Sequence, residues 1–374
     1  MKKFKKKIQL FFKKIVQLIF IFIHGKIRYK NDEFISQNIV KKKIENISSD
    51  INDSRSYFSY KIKNGRVYTD YVEHVAVIDN KTLFNQASFQ QIDIGSGAEL
   101  RSPKENIVLT KGTPRIKKKI SGKVFSMVQG ASGNQNYFHW LFDILPKLKL
   151  CSEHYNLKEI DFFYLPNLQK FQKQTLSIFE INENRILNSE LYRHIQANEL
   201  FVVDHPWYHK GYILDQVEFL PSWIAHWLRD TYLKYAKKIE VNEKIYVDRT
   251  ESKFTHCQIQ NDSEIFEILK KRGFSKYKVG ELSFFEQIYL FNNAKIIIGA
   301  HGAAFTNLVF CKPNTKIVEI RPSSQTNNNY KRISEICKLD YRLIITKELE
   351  ENKRRMGDIY LPIKELENCI KSLS

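Results

Sequence analysis

Ile296-Ile-Ile-Gly-Ala-His301-Gly-Ala-Ala-Phe-Thr306-Asn307-Leu-Val-Phe310, followed by Thr315-Lys-Ile-Val-Glu319-Ile, is the stretch around which the rest of the chain can be ordered. An apolar β-branched run closed by glycine fits a strand buried on both faces of a parallel sheet. The turn Gly299-Ala-His-Gly302-Ala-Ala carries no bulky side chain except His301, so its backbone can approach a ligand closely. A short helix is expected from Ala303, with its free N–H groups and positive dipole end facing whatever sits over the turn. A phosphate suits that environment; a tight strand-to-helix turn around a buried imidazole is the simpler alternative. Glu319 closes the next strand, where it is placed to accept ribose hydroxyls unless it is only a solvated strand-end charge.

Strands and helices alternate from Glu243 up to this stretch. Lys244–Val247 reads as a strand, and Ser263–Lys271 as a helix capped by Ser263. Tyr277–Val279 is a further strand, and Ser283–Asn292 a helix with the capping-box spacing Ser283…Glu286. Such repetition implies a parallel, doubly wound sheet, which binds ligands at the carboxyl ends of its strands. Arg249 and the His301 turn, each just past a strand end, are then expected on one crevice.

Upstream, Lys123–Val128 reads as a strand entering the small, polar loop Gln129–Asn136. The helix expected next, Tyr137-Phe-His139-Trp140-Leu-Phe-Asp143-Ile-Leu-Pro146, places His139 and Asp143 at i and i+4 on one face, and Pro146 should end or kink it. An imidazole beside a carboxylate can accept a proton, the carboxylate orienting the ring and stabilising its charged form; a surface pair that merely packs is the alternative. His205 and His209 are four apart, but Pro206 and the want of a third ligand argue against a metal. Leu200–Asp204 fits a strand and Phe219–Leu233 an apolar-striped packing helix. Between Tyr57 and Ile120 short runs alternate: Asn64-Gly65 predicts a hairpin, and Val75–Asp79 and Ile107–Leu109 predict strands.

At 374 residues and 43% hydrophobic composition the chain is long enough for two cores. Its net charge is +19, and Lys2, Lys3, Lys5, Lys6, Lys7, Lys13, Lys14, Lys26, Arg28 and Lys30 supply +10 of it with no acid among the first thirty residues. Phe4, Ile8, Phe11, Ile15, Leu18, Ile19 and Phe22 recur there at helical spacing, but the apolar run Ile15–Ile23 is far shorter than the ~20 residues of a spanning helix. Residues 1–30 are therefore expected to be a basic amphipathic segment lying on an anionic leaflet, peripheral and cytoplasmic, at the inner face of the plasma membrane. Five scattered cysteines, with no Cys-x-x-Cys pair, fit a reducing compartment better than a disulfide framework or zinc site. Residues 31–56 are expected to be a linker, 57–238 an N-terminal α/β domain and 239–374 a C-terminal Rossmann-like domain.

Three blocks carry a resemblance: Asn136-x-x-His139-Trp140-Leu-x-Asp143-x-Leu-Pro, then Arg249 with Asn261-Asp262, then Gly299-Ala-His301-Gly302-Ala303-Ala-x-Thr306-Asn307-x-x-Phe310. In order and spacing, from about Val124 to Pro322, the chain resembles glycosyltransferase family 61, of the bacterial capsular polysaccharide type. The resemblance implies an α/β fold of the GT-B type, two Rossmann-like domains facing a cleft, and inverting transfer from a nucleotide sugar to a glycan or lipid-linked acceptor. It implies His139 or Asp143 as the base and Asn136 and Trp140 on the acceptor side. Arg249, Asn261, Gly299, His301, Gly302, Ala303, Thr306, Asn307 and Glu319 would bind the donor. The sequence departs from the family in lacking a second arginine near Thr255-His-Cys-Gln258, where Lys253 offers only a point charge. No two aspartates lie two apart, so no Asp-x-Asp motif marks a metal, and a mechanism with neither metal nor cofactor is favoured. The alternative, a non-catalytic protein binding nucleic acid or another polyanion, rests on net charge alone; the basic residues lie in an apolar-striped tail and no nucleic-acid-binding module is present, so no nucleic-acid partner is expected. A hydrolase of the α/β class would need a Gly-x-Ser-x-Gly elbow, which is missing.

Overall fold

The computed structural model describes all of the chain except residues 1, 32, 46, 48–54, 72–73, 94–97, 129–135, 208–210, 213–216, 218, 250–256, 349–356 and 374. The chain divides into two units, Met1–Ile213 and Leu214–Ser374. This division falls earlier than 238/239 because helix Ser222–Tyr232 is tied into the second unit: Arg229 Nη1 donates to the carbonyls of Val309 at 2.6 Å and Cys311 at 2.7 Å. The loop Gln129–Gln135, His209, Lys253 and His256 lie outside the described residues.

The first unit opens with helix α1 (Lys2–His24), ended by Gly25 at a φ of 82°, whose N–H bonds back to the Ile21 carbonyl at 2.9 Å. Part of the expected linker is a strand, β1 (Ile39–Ile44), which buries Ile39 and Ile44 at its ends while its lysines stay exposed. There follow β2 (Tyr57–Lys63), β3 (Arg66–Tyr71), β4 (His74–Asp79), β5 (Thr82–Leu83), β6 (Phe89–Asp93), β7 (Ala98–Leu100), α2 (Val108–Lys111) and β8 (Lys118–Ser126). The unit continues with α3 (Tyr137–His139), α4 (Pro146–Ser152), β9 (Phe162–Leu165), α5 (Lys170–Ser177), β10 (Ile186–Asn188), β11 (His194–Val203) and β12 (Gly211–Tyr212). One sheet runs β10-β9-β8-β11-β3-β4-β6-β7-β12, with β2 also on β11. The pairs among β10, β9, β8 and β11 are parallel and those beyond are antiparallel. Numbered from β8, the parallel part has the Rossmann-like order 3-2-1-4, with its switch point between β8 and β11.

Two expectations fail here for physical reasons. Asn64-Gly65 makes no hairpin: β2 and β3 both run along β11 in one unbroken register, with Lys63 opposite Glu199 and Arg66 opposite Gln196. The dipeptide's hydrogen bonds go to that neighbour, Asn64 N–H to the Asn198 carbonyl at 2.9 Å and Ala197 N–H to the Gly65 carbonyl at 3.0 Å. Glycine is needed at 65 for space, since a Cβ there would stand 2.7 Å from Leu200 Cβ. Ile107–Leu109 falls in the α2 turn, because Asn106 Oδ1 accepts the Val108 N–H at 3.2 Å and starts a helical turn that Gly112 ends at a φ of 63°.

The second unit contains α6 (Ser222–Tyr232), β13 (Lys244–Val247), α7 (Asp262–Lys270), β14 (Ser275–Tyr277), α8 (Phe284–Asn293), β15 (Ile296–Ala300), a 3₁₀ helix Ala303–Phe310, β16 (Lys316–Pro322), α9 (Asn329–Ile336), β17 (Asp340–Thr346) and α10 (Ile363–Lys371). Its sheet is entirely parallel, in the order β14-β13-β15-β16-β17. Numbered from β13 this is 2-1-3-4-5, a doubly wound order with its switch point between β13 and β15. Ile298, Ala300, Val318 and Ile320 face a core with Ile265 and Leu269 of α7 and Leu366 of α10. On the other face Phe284 packs edge-on against Tyr232 and Phe310, at 5.1 and 5.9 Å between ring centroids. Ser283 caps α8 in the expected capping box, whereas α7 starts at Asn261 instead of Ser263.

Gly65→Ala should cost about 1–3 kcal/mol of unfolding free energy in a urea titration, because Leu200 Cβ sits on a paired strand and cannot retreat.

Candidate active site

In the second unit the ends of β13 and β15 carry Arg249 and His301. Arg249 Nη1 donates to the His301 carbonyl. Gly302 makes that approach feasible, since a Cβ there would lie 1.6 Å from Arg249 Nη1. Gly299 is likewise confined, a Cβ falling 2.9 Å from Val247 Cβ and 3.0 Å from Phe305 Cε2. Burial lowers the Arg249 guanidinium's pKa, and its Nε is buried without a hydrogen-bond partner among the described residues. A small, shallow recess opens beside it, lined by Tyr246, Val247, Arg249, Gln258, Ile259, Asp262 and Ala300. Asp262 accepts from the Tyr246 hydroxyl at 2.7 Å and from Lys276 Nζ at 2.5 Å, so that carboxylate is already neutralised.

His301 is fixed on every side. Its Nδ1 donates to Glu319 Oε1 at 2.5 Å, its Nε2 accepts from the Gln325 amide at 2.9 Å, its N–H bonds the Ile320 carbonyl at 2.7 Å, and its ring lies 5.0 Å from that of Tyr330. Glu319 is 1% exposed, and its other oxygen accepts from the Tyr341 hydroxyl at 2.5 Å. Burial, with the Glu319 charge adding to it, pushes the Tyr330 and Tyr341 hydroxyls up.

Several residues expected on the donor do other work. Glu319 lies inside β16, which runs on to Pro322, and so orients His301 instead of presenting a strand-end carboxylate. Asn261 ties down the chain near α10, exchanging hydrogen bonds with the Leu361 N–H at 3.0 Å and carbonyl at 2.9 Å. Thr306 and Asn307 are fully buried, and Asn307 donates to Gln287 Oε1 at 2.9 Å and the Ala304 carbonyl at 3.1 Å. Ala303 is exposed at the first turn of its helix.

In the first unit the second constellation follows β8. Asn136 caps α3 through Oδ1, accepting the N–H of Phe138 at 2.9 Å and of His139 at 3.4 Å. A π turn, Trp140–Ile144, then widens the helix, with Leu145 N–H bonding the Trp140 carbonyl at 3.0 Å. That wider turn lets Pro146 begin α4 instead of ending the helix. His139 Nδ1 donates to Asp143 Oδ2 at 2.7 Å, and the fully buried Asp143 accepts the indole N–H of Trp207 on Oδ1 at 2.7 Å. The His139 side chain keeps 21% of its surface, and its Nε2 makes no hydrogen bond to a described residue. Trp140 is core, donating to Thr175 Oγ1 at 2.8 Å, not an acceptor-facing residue.

Sequence reasoning missed Trp207, Lys147, Gln325, Tyr330 and Tyr341. Lys147 carried a signal, since it lies at i+4 from Asp143 on one helical face. It is 4% exposed; burial lowers its amine to about 7 while the Asp143 charge opposes that shift. Its folded pKa lies below its ordinary 10.5, so the unfolded chain holds the proton longer and stability rises as pH climbs from about 7 toward 10.5. Lys147→Met should flatten that rise in the urea midpoint; an unchanged slope would place the titration elsewhere.

Comparison with known proteins bears on what these two constellations serve. The sequence model of the family described as Glycosyltransferase 61 matches residues 137–318. β-1,2-Xylosyltransferase RCN11 of Oryza sativa subsp. japonica is 36% identical over 86 residues, which make up 23% of this chain and 15% of that protein. Among solved structures, a mutant flavo di-iron protein from Thermotoga maritima covers 90% of this chain and 100% of its own at 9% identity, with a TM-score of 0.24, too low to bear on the fold. The span that holds His139, Asp143, Arg249 and His301, just under half of the chain, matches the sequence model of glycosyltransferase family 61.

Proposed function

We propose that the chain is an inverting glycosyltransferase of the GT-B type, the second unit taking a nucleotide sugar and the first a glycan or lipid-linked acceptor, in the synthesis of a capsule or other surface polysaccharide. The observation that carries this reading is the asymmetry of His139. Its Nδ1 is committed to a buried carboxylate, while Nε2 is unpaired among the described residues and the side chain keeps 21% of its surface. That is how a general base is prepared. In the reaction, the acceptor hydroxyl gives its proton to His139 Nε2, and its oxygen bonds to the anomeric carbon from the face opposite the leaving group. The bond from that carbon to the diphosphate breaks, and the nucleoside diphosphate departs with the electron pair. Asp143 fixes the ring's tautomer through the Nδ1 hydrogen bond and faces the imidazolium that forms. Thus His139 is the base and Asp143 its positioning residue.

The diphosphate falls to Arg249, whose buried Nε has no partner among the described residues, and to the exposed start of the helix at Ala303. A buried donor left unpaired is unfavourable, so an anion arriving there gains a charge-assisted hydrogen bond. The recess at Tyr246 and Asp262 lies beside this arginine and suits part of the nucleoside. His301 shapes the turn, since both its ring nitrogens are already engaged. The absence of any Asp-x-Asp motif favours assigning the leaving group to these residues without a metal.

His139→Ala should lower transfer by about 10²- to 10⁴-fold while nucleotide binding, read by thermal stabilisation, survives. Arg249→Ala should do the reverse at the binding step, weakening a nucleoside diphosphate by roughly tenfold or more. Full turnover in the first variant, or unchanged affinity in the second, would refute the corresponding role.

A further inference from the structure

The apolar residues of α1 are more exposed than a soluble helix can leave in water. Phe4, Ile8, Phe11, Ile15, Leu18 and Phe22, spaced by four and three, are 69%, 40%, 63%, 37%, 66% and 91% exposed, and Phe12, Ile19 and Ile23 widen the same stripe. A contiguous apolar strip on this scale marks an interaction surface. Lys6 and Lys13 lie opposite the stripe and Lys7 and Lys14 beside it, and seven residues on from Lys13 and Lys14 Phe20 and Ile21 take over their positions.

Of those two residues, Ile21 meets the body of the first unit. It lies over the backbone of Gly112, where a Cβ would come 2.6 Å from the Ile21 Cγ1, while Phe20 packs within the helix against His24, at 5.4 Å between ring centroids. The helix end is then latched by a buried arginine. Arg66 donates to His194 Nε2 from Nε at 3.1 Å, to Thr113 Oγ1 at 3.0 Å, to the Asn80 carbonyl at 3.1 Å and to the His24 carbonyl at 3.4 Å. His24 in turn bonds the Arg115 carbonyl at 3.1 Å and stands edge-on to His194 at 4.8 Å. The helix therefore docks by its lysine-side face and turns its apolar stripe outward.

We infer that α1 is an in-plane docking arm for a membrane surface bearing anionic headgroups, with its stripe in the acyl boundary and its lysines level with the headgroups. Among the described residues no helix is long and apolar enough to cross a membrane, so α1 lies on the surface. Charge decides the occupant: exposed Lys5, Lys6, Lys7, Lys13 and Lys14 flank the stripe with no acid on the helix, so a second copy of the same helix would set like charges together.

The test is co-sedimentation of the full chain with vesicles of phosphatidylcholine alone and of phosphatidylcholine with phosphatidylglycerol. Binding should be strong only with the anionic lipid, fall with added salt, and drop on the order of tenfold or more in Phe11→Asp/Leu18→Asp, two exposed positions whose change leaves the fold intact by circular dichroism. Equal binding by that double variant, no pelleting with anionic vesicles, or a dimer in solution that the same substitutions abolish would each overturn the inference.

Discussion

A carboxylate shut away from water has to be met by donors, and in each unit of this chain such a carboxylate holds a histidine. Asp143 accepts from His139 and Trp207; Glu319 accepts from His301 and Tyr341. The two pairs use the same bond for different ends. His139 keeps 21% of its side-chain surface and its Nε2 has no hydrogen-bond partner among the described residues, which suits the proposed role as a base. His301 has its second nitrogen held by Gln325 and its ring against Tyr330, so its carboxylate freezes a turn. The two imidazoles differ in what, among the described residues, meets the other nitrogen.

The sheets explain where the pairs stand. Each histidine lies past the carboxyl end of a strand at its own unit's switch point, where neighbouring crossovers leave in opposite directions and the backbone opens. In the first unit, the His139 helix follows β8 and Trp207 follows β11, the two strands at the switch. In the second, Arg249 follows β13 and His301 follows β15, and Gly302 permits the guanidinium to reach the turn's carbonyl. Side chains far apart in sequence are brought together by strand order, with packing glycines setting how closely they approach.

Much of this was legible in the sequence, and several of the failures share a cause. The alternation after Glu243, the Ser283 capping box and the i, i+4 spacing of His139 and Asp143 depend on neighbours along the chain, which spacing reports. Asn64-Gly65 was misread because its decisive neighbour is β11, more than a hundred residues away in sequence. Glu319, Asn261 and Trp140 are residue types that ligand sites also use, but their partners are Tyr341, Leu361 and Thr175, each supplied by a distant element. The carboxylate expected at a strand end was placed by counting residues, and β16 is simply longer than the apolar run suggested.

Buried Asp143 should fix His139 as the Nδ1–H tautomer, leaving Nε2 to act as the proposed base. Nitrogen-15 NMR of the histidine rings above neutral pH reads this directly, with His139→Ala assigning the signal. The account predicts a protonated Nδ1 and a bare Nε2 at His139, and a loss of that preference in Asp143→Asn. A proton found on Nε2 in the unaltered chain would contradict it.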